Sequence, residues 1–442
     1  MQRFRVAPGA RIGGEISVPG DKSISHRALM LGAIAEGRTT VNGFLEGEDC
    51  VATRNALTAL GVEIRLSQEG TLTIEGRGAR ALRAPPGALD FGNSGTGLRL
   101  MMGLLAGQAF DTELTGDASL RRRPMERVAA PLRQMGARIE TTAGSAPVRI
   151  LGGAKLRGID HELPVASAQI KSALLLAGLG ATGRTTIRSP GTSRDHTERM
   201  LATMGVDVRQ DANRNTVALD GPTMPRGTTI EVPGDFSSAA FFIVAACLGA
   251  DRGLLIKGVG VNPTRTGLLT ILESMGARIE QRARRKLGAE PVADLLVTKS
   301  ALRGISVPSE LVPLAIDEFP ILFVAAAGAT GRTVVTGAEE LRHKESDRIA
   351  MMARALKAVG ANVEERPDGL VVEGGGLRGG VVDSDGDHRI AMAFAVASLL
   401  CSGSMEILKT DQVATSFPTF AAVAGTAGLD IEVTEQSARG RN

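Results

Sequence analysis

The segment MGARIE occurs verbatim at 135–140 and again at 275–280, and no other feature limits the fold of this chain as strongly. Weaker copies stand at 60–64 (LGVEI), 204–208 (MGVDV), 359–364 (VGANVE) and 427–432 (AGLDIE). Their glycines, at 61, 136, 205, 276, 360 and 428, are spaced by about 68–84 residues. A second landmark precedes each copy, as in GRTTV at 37, GRTTIR at 183 and GRTVV at 331. Ahead of each landmark lies an Ala-rich apolar run such as RALMLGAIA, IKSALLLAGLG or AAFFIVAACLG. Leu, Met and Ala favour helix, and a run apolar nearly all round belongs inside the protein. The Val/Ile/Thr-rich segments that follow read as strands, and a more amphipathic helix such as EDCVATRNALTAL comes next. The unit is therefore strand, buried helix, strand, amphipathic helix, strand, six times over. Solenoid units are shorter, so a small α/β layer is expected, clustered three and three.

Two domains also follow from length, since 442 residues exceed what one compact core accommodates. The tetrapeptide VPGD occurs at 18–21 and at 232–235, bracketing three repeats. Each copy is read as a crossing between domains. One domain is then 1–19 plus 233–442, the other an insertion spanning 20–232, with the active site in the cleft between them.

Just ahead of the buried helices the sequence changes character: GDKSISHR, GNSGTGLR, ASAQIKS, GDFSSAAF, IDEFP and DGDHRIAM. A helix N-terminus offers unpaired N–H groups and partial positive charge, which suits an anion. Glycine lets a ligand approach the backbone, and Lys22, Arg27, Arg99 and Arg389 add contacts fit for phosphate or carboxylate. Any one start alone reads as ordinary capping. Several together suit small polyanionic substrates.

Composition removes whole classes. A net charge of +3, 3% aromatic residues and no Trp or Tyr argue against a nucleic-acid binder, which needs stacking platforms. The three cysteines, Cys50, Cys247 and Cys401, are far apart, fit a reducing cytoplasm and offer no zinc spacing. No apolar stretch reaches the length of a membrane span, and the N-terminus lacks a signal-peptide core. GNSGTG matches neither a dinucleotide fingerprint nor a P-loop, and DSDGDH lacks the glycine and glutamate of a calcium loop. Asp21, Ser23 and His26 sit on one turn without an independent oxyanion hole, so they make no triad. In HKESDR (343–348), Lys344 and Glu345 are expected to share a helical face with Arg348. Asp317 stands at the mouth of an apolar helix, as dipole partner or general base.

Taken in order, GDKSISHR, GNSGTGLR, RRRPM, SAQIKSALLLAG, IDEFPILFVAAA, HKESDR, DGDHRIAM and ATSFPTF resemble the 3-phosphoshikimate 1-carboxyvinyltransferase family (EPSP synthases) over essentially the whole chain. The resemblance implies an α/β fold of two globular domains, each of three inverse βαβαββ repeats. It implies transfer of the enolpyruvyl group of phosphoenolpyruvate to the 5-hydroxyl of shikimate 3-phosphate, a step toward chorismate and the aromatic amino acids. No metal and no organic cofactor are implied. A cytoplasmic monomer acting on small molecules is expected, with neither nucleic acid nor membrane as partner.

By the same resemblance, Lys22, Ser23, Arg27, Ser167, Ala168, Gln169, Arg194, Asp317 and Lys344 would hold shikimate 3-phosphate. Lys22, Gly95, Arg123, Gln169, Arg348 and Arg389 would surround phosphoenolpyruvate. Asp317 is the expected base, with Glu345 and Lys22 moving the second proton. RDHTE (194–198), SAQIK (167–171) and NPTR (262–265) look like the class II branch, in which glyphosate tolerance is common. Thr415 stands where the other branch has a Lys, whereas Gly95 keeps the glycine of sensitive enzymes. The sister UDP-N-acetylglucosamine enolpyruvyl transferase fits less well, because 116–127 contains no cysteine. An RNA-end-processing protein would need a nucleophilic His motif that is missing, and a mere scaffold leaves the polar helix starts without purpose.

Overall fold

A computed structural model describes residues 2–435. Six small sheets carry the six repeats, five of four strands and one of three. A typical one pairs Leu89–Asp90 parallel to Thr112–Thr115, which runs antiparallel to Ser145–Leu151, itself antiparallel to Arg138–Thr142. Between its strands come a buried helix, Gly95–Leu105, and an amphipathic one, Glu126–Gln134. This is the βαβαββ order.

The repeated glycine has one job in all copies. Gly61, Gly136, Gly205, Gly276, Gly360 and Gly428 all have φ between 83° and 101°, the left-handed region that side chains with a Cβ avoid. Each follows a helix end, and the next residue's N–H reaches back five residues, as in Ala137 to Leu132 and Leu429 to Ala424. That pattern closes the last turn and turns the chain into its next strand. The MG and LG landmarks are helix stops.

The chain divides into two compact units. One holds the chain up to Pro19, Pro233–Arg285, and the described residues from Pro291 onward. The other is Gly20–Val232 with Lys286–Glu290. The last five residues depart from the sequence expectation, which gave them to the first unit. They form the turn end of the hairpin Arg278–Leu287 and Glu290–Thr298, whose outer strand is exposed and basic.

Each unit has its own apolar core. In the Gly20–Val232 unit the helices Lys22–Ile34, Gly95–Leu105 and Ala168–Gly180 are buried almost throughout. A side chain at Gly103 would overlap the Ala173 carbonyl, so glycine sets how closely two of these helices pack. The other unit buries Phe236–Gly249, Phe319–Ala327 and His388–Ala397. Phe417 and Phe420 of ATSFPTF, 5.5 Å apart, pack there against Phe241, Phe242 and Phe4, with centroids 5.9–6.2 Å away. That motif is core.

At the VPGD segments the preceding strand stays behind. Gly14–Ser17 pairs in parallel with Leu254–Gly260, while the chain goes on into the Lys22 helix of the other unit. Thr229–Glu231 pairs in parallel with Glu36–Asn42, while the chain goes on into Phe236–Gly249. Each unit's first sheet is thus completed by a strand from the other end of the chain's excursion. Gly20 is required by close approach, since a Cβ there would overlap the Gly43 carbonyl oxygen.

Candidate active site

Five of the six buried helices start on a side-chain cap: Asp21, Ser94, Ser167, Asp235 and Asp387 each accept a backbone N–H from the first turn. Capping leaves the remaining N–H groups of the turn for a ligand. Phe319–Ala327 has no such bond and begins instead at Phe319–Pro320.

In the Gly20–Val232 unit, Lys22 Nζ donates to Asp49 Oδ2 at 2.7 Å, with both side chains mostly covered. Asp49 lies in the first turn of helix Glu48–Ala59, where the helix dipole stabilises its carboxylate. Arg27 is buried and bonded on all sides: Nε to Thr197 Oγ1 (2.6 Å), Nη1 to Ser23 O (2.9 Å) and Nη2 to Ser172 Oγ (2.8 Å). It ties three helices together, a fuller set of protein partners than a pure substrate ligand would have.

Around Gly95 the cations gather. Arg123 donates to Asn93 Oδ1 at 2.6 Å, and Arg99 donates to Gln169 Oε1 at 2.8 Å and to the Pro124 carbonyl at 3.1 Å. Gln169 Nε2 in turn donates to Thr96 Oγ1 at 3.0 Å. A Cβ on Gly95 would stand 3.0 Å from Arg123 Nη1 and 3.3 Å from Arg99 Nη1, so both guanidiniums face this helix start. Ser167 and Ala168 open the neighbouring helix, and Arg194 is half-buried in the turn before helix His196–Thr203.

In the other unit Asp317, Lys344, Glu345 and Arg348 come together. Arg348 is 1% exposed; its Nε donates to Asp387 Oδ2 at 2.8 Å and its Nη2 to Glu345 Oε2 at 2.6 Å. Asp317 Oδ1 lies 3.6 Å from both Arg348 Nη1 and Lys344 Nζ. Burial works against charge on Arg348, yet Asp387, Glu345 and Asp317 outweigh it and hold its pKa above the ordinary arginine value. Arg389 is buried at the second position of helix His388–Ala397, its N–H on Asp387 Oδ1 at 2.9 Å. One expectation is corrected. HKESDR does not open a helix: Glu339–His343 is a 3-10 turn, and Asp347 caps the helix that starts at Arg348. The expected Glu345–Arg348 pair forms nonetheless, while Lys344 and Arg348 meet at Asp317.

The sequence reading gave no role to Asp49, Asp387, His26 or Thr53, whose signal is nearness in space to residues apart along the chain. Asp387 could have been found as the last acidic residue before HRIAM, in cap position. It also missed the buried pair Lys171 Nζ–Glu198 Oε1 (2.6 Å), which joins SAQIK to RDHTE, and Arg265 on Asp235 (3.2 Å) and Ser237 (2.8 Å), which gives NPTR its place. Ser237 also bonds Glu318. His196 Nδ1 lies 2.7 Å from Glu290 Oε1, anchoring the hairpin turn that groups with this helix. Among the described residues no cluster of metal-type ligands occurs and no helix is long and apolar enough to cross a membrane.

The architecture is that of enolpyruvyl transferases: the transferase NikO of Streptomyces tendae superposes with a TM-score of 0.80 at 18% identity, over 99% of both chains. The family model for EPSP synthase (3-phosphoshikimate 1-carboxyvinyltransferase) matches residues 6–423, and the chain belongs to that family. A 3-phosphoshikimate 1-carboxyvinyltransferase of Methylococcus capsulatus is 58% identical, covering 97% of this chain and 98% of that one. The EPSP synthase structure from Acinetobacter baumannii is 51% identical, with a TM-score of 0.87 over 98% of this chain and 100% of that one.

Proposed function

We propose that this protein transfers the enolpyruvyl group of phosphoenolpyruvate to the 5-hydroxyl of shikimate 3-phosphate, giving 5-enolpyruvylshikimate 3-phosphate and phosphate. The observation that carries the reading is the Asp317 cluster, where two carboxylates and two cations meet beside a capped helix start. Full-length relatives at 51–58% identity support the same substrate pair.

The chemistry needs one base, one acid and a set of fixed positive charges. Asp317 takes the 5-hydroxyl proton as the oxygen attacks C2 of phosphoenolpyruvate, and C3 gains a proton from Glu345 or Lys22. The product is a tetrahedral ketal carrying carboxylate and phosphate. Loss of a C3 proton to the same group then expels phosphate and restores the alkene. Lys22, Gly95, Arg123, Gln169, Arg348 and Arg389 hold phosphoenolpyruvate; the cations balance the phosphate and carboxylate charges throughout. Lys22, Ser23, Arg27, Ser167, Ala168, Gln169, Arg194, Asp317 and Lys344 hold shikimate 3-phosphate. Orientation of two anions against each other supplies much of the rate. The protein works as a cytoplasmic monomer, and sedimentation of the full chain checks the oligomeric state. Its three cysteines are buried, with the Cys247 and Cys401 thiols pushed up by burial to about 12 and about 11.

Phosphate release is measured with each substrate alone and with both. Release only with both is expected; release with UDP-N-acetylglucosamine in place of shikimate 3-phosphate would overturn the assignment.

A further inference from the structure

The Lys22 helix carries one fully buried titratable side chain for which the transfer reaction has no use. His26 is 0% exposed; its Nδ1 lies 2.9 Å from Thr53 Oγ1 and its Nε2 lies 3.4 Å from Ser94 Oγ. The two hydroxyls fix where its proton sits, because each has a single proton to give. Thr53 donates to the Asp49 carbonyl oxygen at 3.3 Å, so toward His26 its oxygen accepts, and Nδ1 bears the hydrogen. Nε2 is then an acceptor. Ser94 Oγ accepts the Gly97 N–H at 3.0 Å as a helix cap, and its own proton goes to Nε2. The donors run one way: Ser94 to His26, His26 to Thr53, Thr53 to Asp49.

The ends of this chain are the residues that matter. Asp49 holds Lys22 Nζ at 2.7 Å, and Ser94 is the cap immediately before Gly95. We propose that His26 is a positioning residue for the enolpyruvyl transfer, fixing the Lys22–Asp49 pair against the Gly95 helix start through a one-way relay of hydrogen bonds. The spacing between the Lys22 ammonium and the helix start at Gly95 is thereby set before phosphoenolpyruvate arrives. The relay needs a neutral imidazole, since imidazolium turns Nε2 from acceptor into donor and leaves the Ser94 proton without its acceptor. Burial first, then the Lys22 and Arg27 charges, push His26 down to about 3 against a smaller opposing effect of Asp21. The proton stays on Nδ1 across any working pH.

The inference rests on the reaction proposed above, and two measurements on the full chain separate the two. With histidine labelled in 15N, the His26 signal (assigned by its loss in His26→Gln) is expected as one neutral tautomer, protonated at Nδ1, from pH 5 to 9. A signal that titrates in that range, or that shows the proton on Nε2, overturns the relay. The second measurement is kcat/KM for phosphoenolpyruvate at saturating shikimate 3-phosphate, well below each variant's Tm. His26→Leu keeps bulk and loses both bonds; it is expected to fall by about 10- to 100-fold. Asn places an amide nitrogen where Nδ1 stood, and Gln places an amide oxygen where Nε2 stood, so His26→Asn and His26→Gln each recover part of the loss. Activity of His26→Leu within threefold of wild type, with only its Tm lowered, would reduce His26 to a packing residue and sink the proposal. If His26→Leu does not fold, Thr53→Val breaks the relay from the other side with the same expected fall. A wild-type chain that shows the predicted tautomer but no transfer would overturn the reaction and leave the relay standing.

Discussion

Lys22 and Arg348 are both cations at the first position of a helix, and the two units hold them by opposite means. Lys22 has one carboxylate, Asp49, backed by a neutral relay of imidazole and hydroxyls. Arg348 has three carboxylates and almost no exposure. A charge wholly removed from water must be matched by charge, whereas a partly covered ammonium is held by one partner and aimed by neutral bonds. The first arrangement leaves Lys22 able to change its bonding during a reaction. The second makes Arg348 a fixed post and the stability of its own unit dependent on it.

The largest effect is expected from Asp387→Ala, which strips Arg348 of two bonds inside the core. Breaking a buried ion pair costs about 3–5 kcal/mol, read by chemical denaturation. A cost under about 1 kcal/mol would erase the contrast between the units. Lys22→Met should reverse the balance: kcat/KM falls by about 10²–10³ while stability changes by only about 1–3 kcal/mol. Gly95→Ala adds a methyl against Arg123 and Arg99, and KM for phosphoenolpyruvate should rise about tenfold with kcat less affected. The smallest effect is one of slope. His26 is held at about 3 in the folded chain against an ordinary 6.5, so below pH 6.5 the unfolded chain binds a proton that the folded chain refuses. Unfolding free energy therefore drops by about 1.4 kcal/mol per pH unit from pH 6 to 4 on this account alone. The acid limb of His26→Gln should be shallower by that amount. Identical slopes would mean that His26 is not held neutral.

The helix starts were legible because caps and glycines are local. GDKSISHR and GNSGTGLR begin helices within a residue of where their Asp and Ser lead one to expect. The repeat glycines announced helix ends for the same reason. What sequence could not supply were partners separated by dozens to hundreds of residues: Asp49 for Lys22, Asp387 for Arg348, Thr197 and Ser172 for Arg27. HKESDR misled because its charges have helical spacing, while Asp347 is the better cap and delays the helix to Arg348. Residues 286–290 misled for another reason. A hairpin turn carries no local mark of which unit it packs against.

The strands left behind at the VPGD segments have a consequence for synthesis. The insertion has nearly all its strands once Thr229–Glu231 has been made, since that segment completes its first sheet. The chain's beginning has to wait. Gln2–Val6 belongs between Met405–Leu408 and Ile431–Glu435, so this strand, made before the insertion, gains its neighbours only after it. The insertion can thus be complete while Gln2–Val6 still lacks its neighbours, and domains generally fold as units. A truncation that stops short of Ile431 would strand the N-terminus beside an edge with no second neighbour, while leaving the insertion whole.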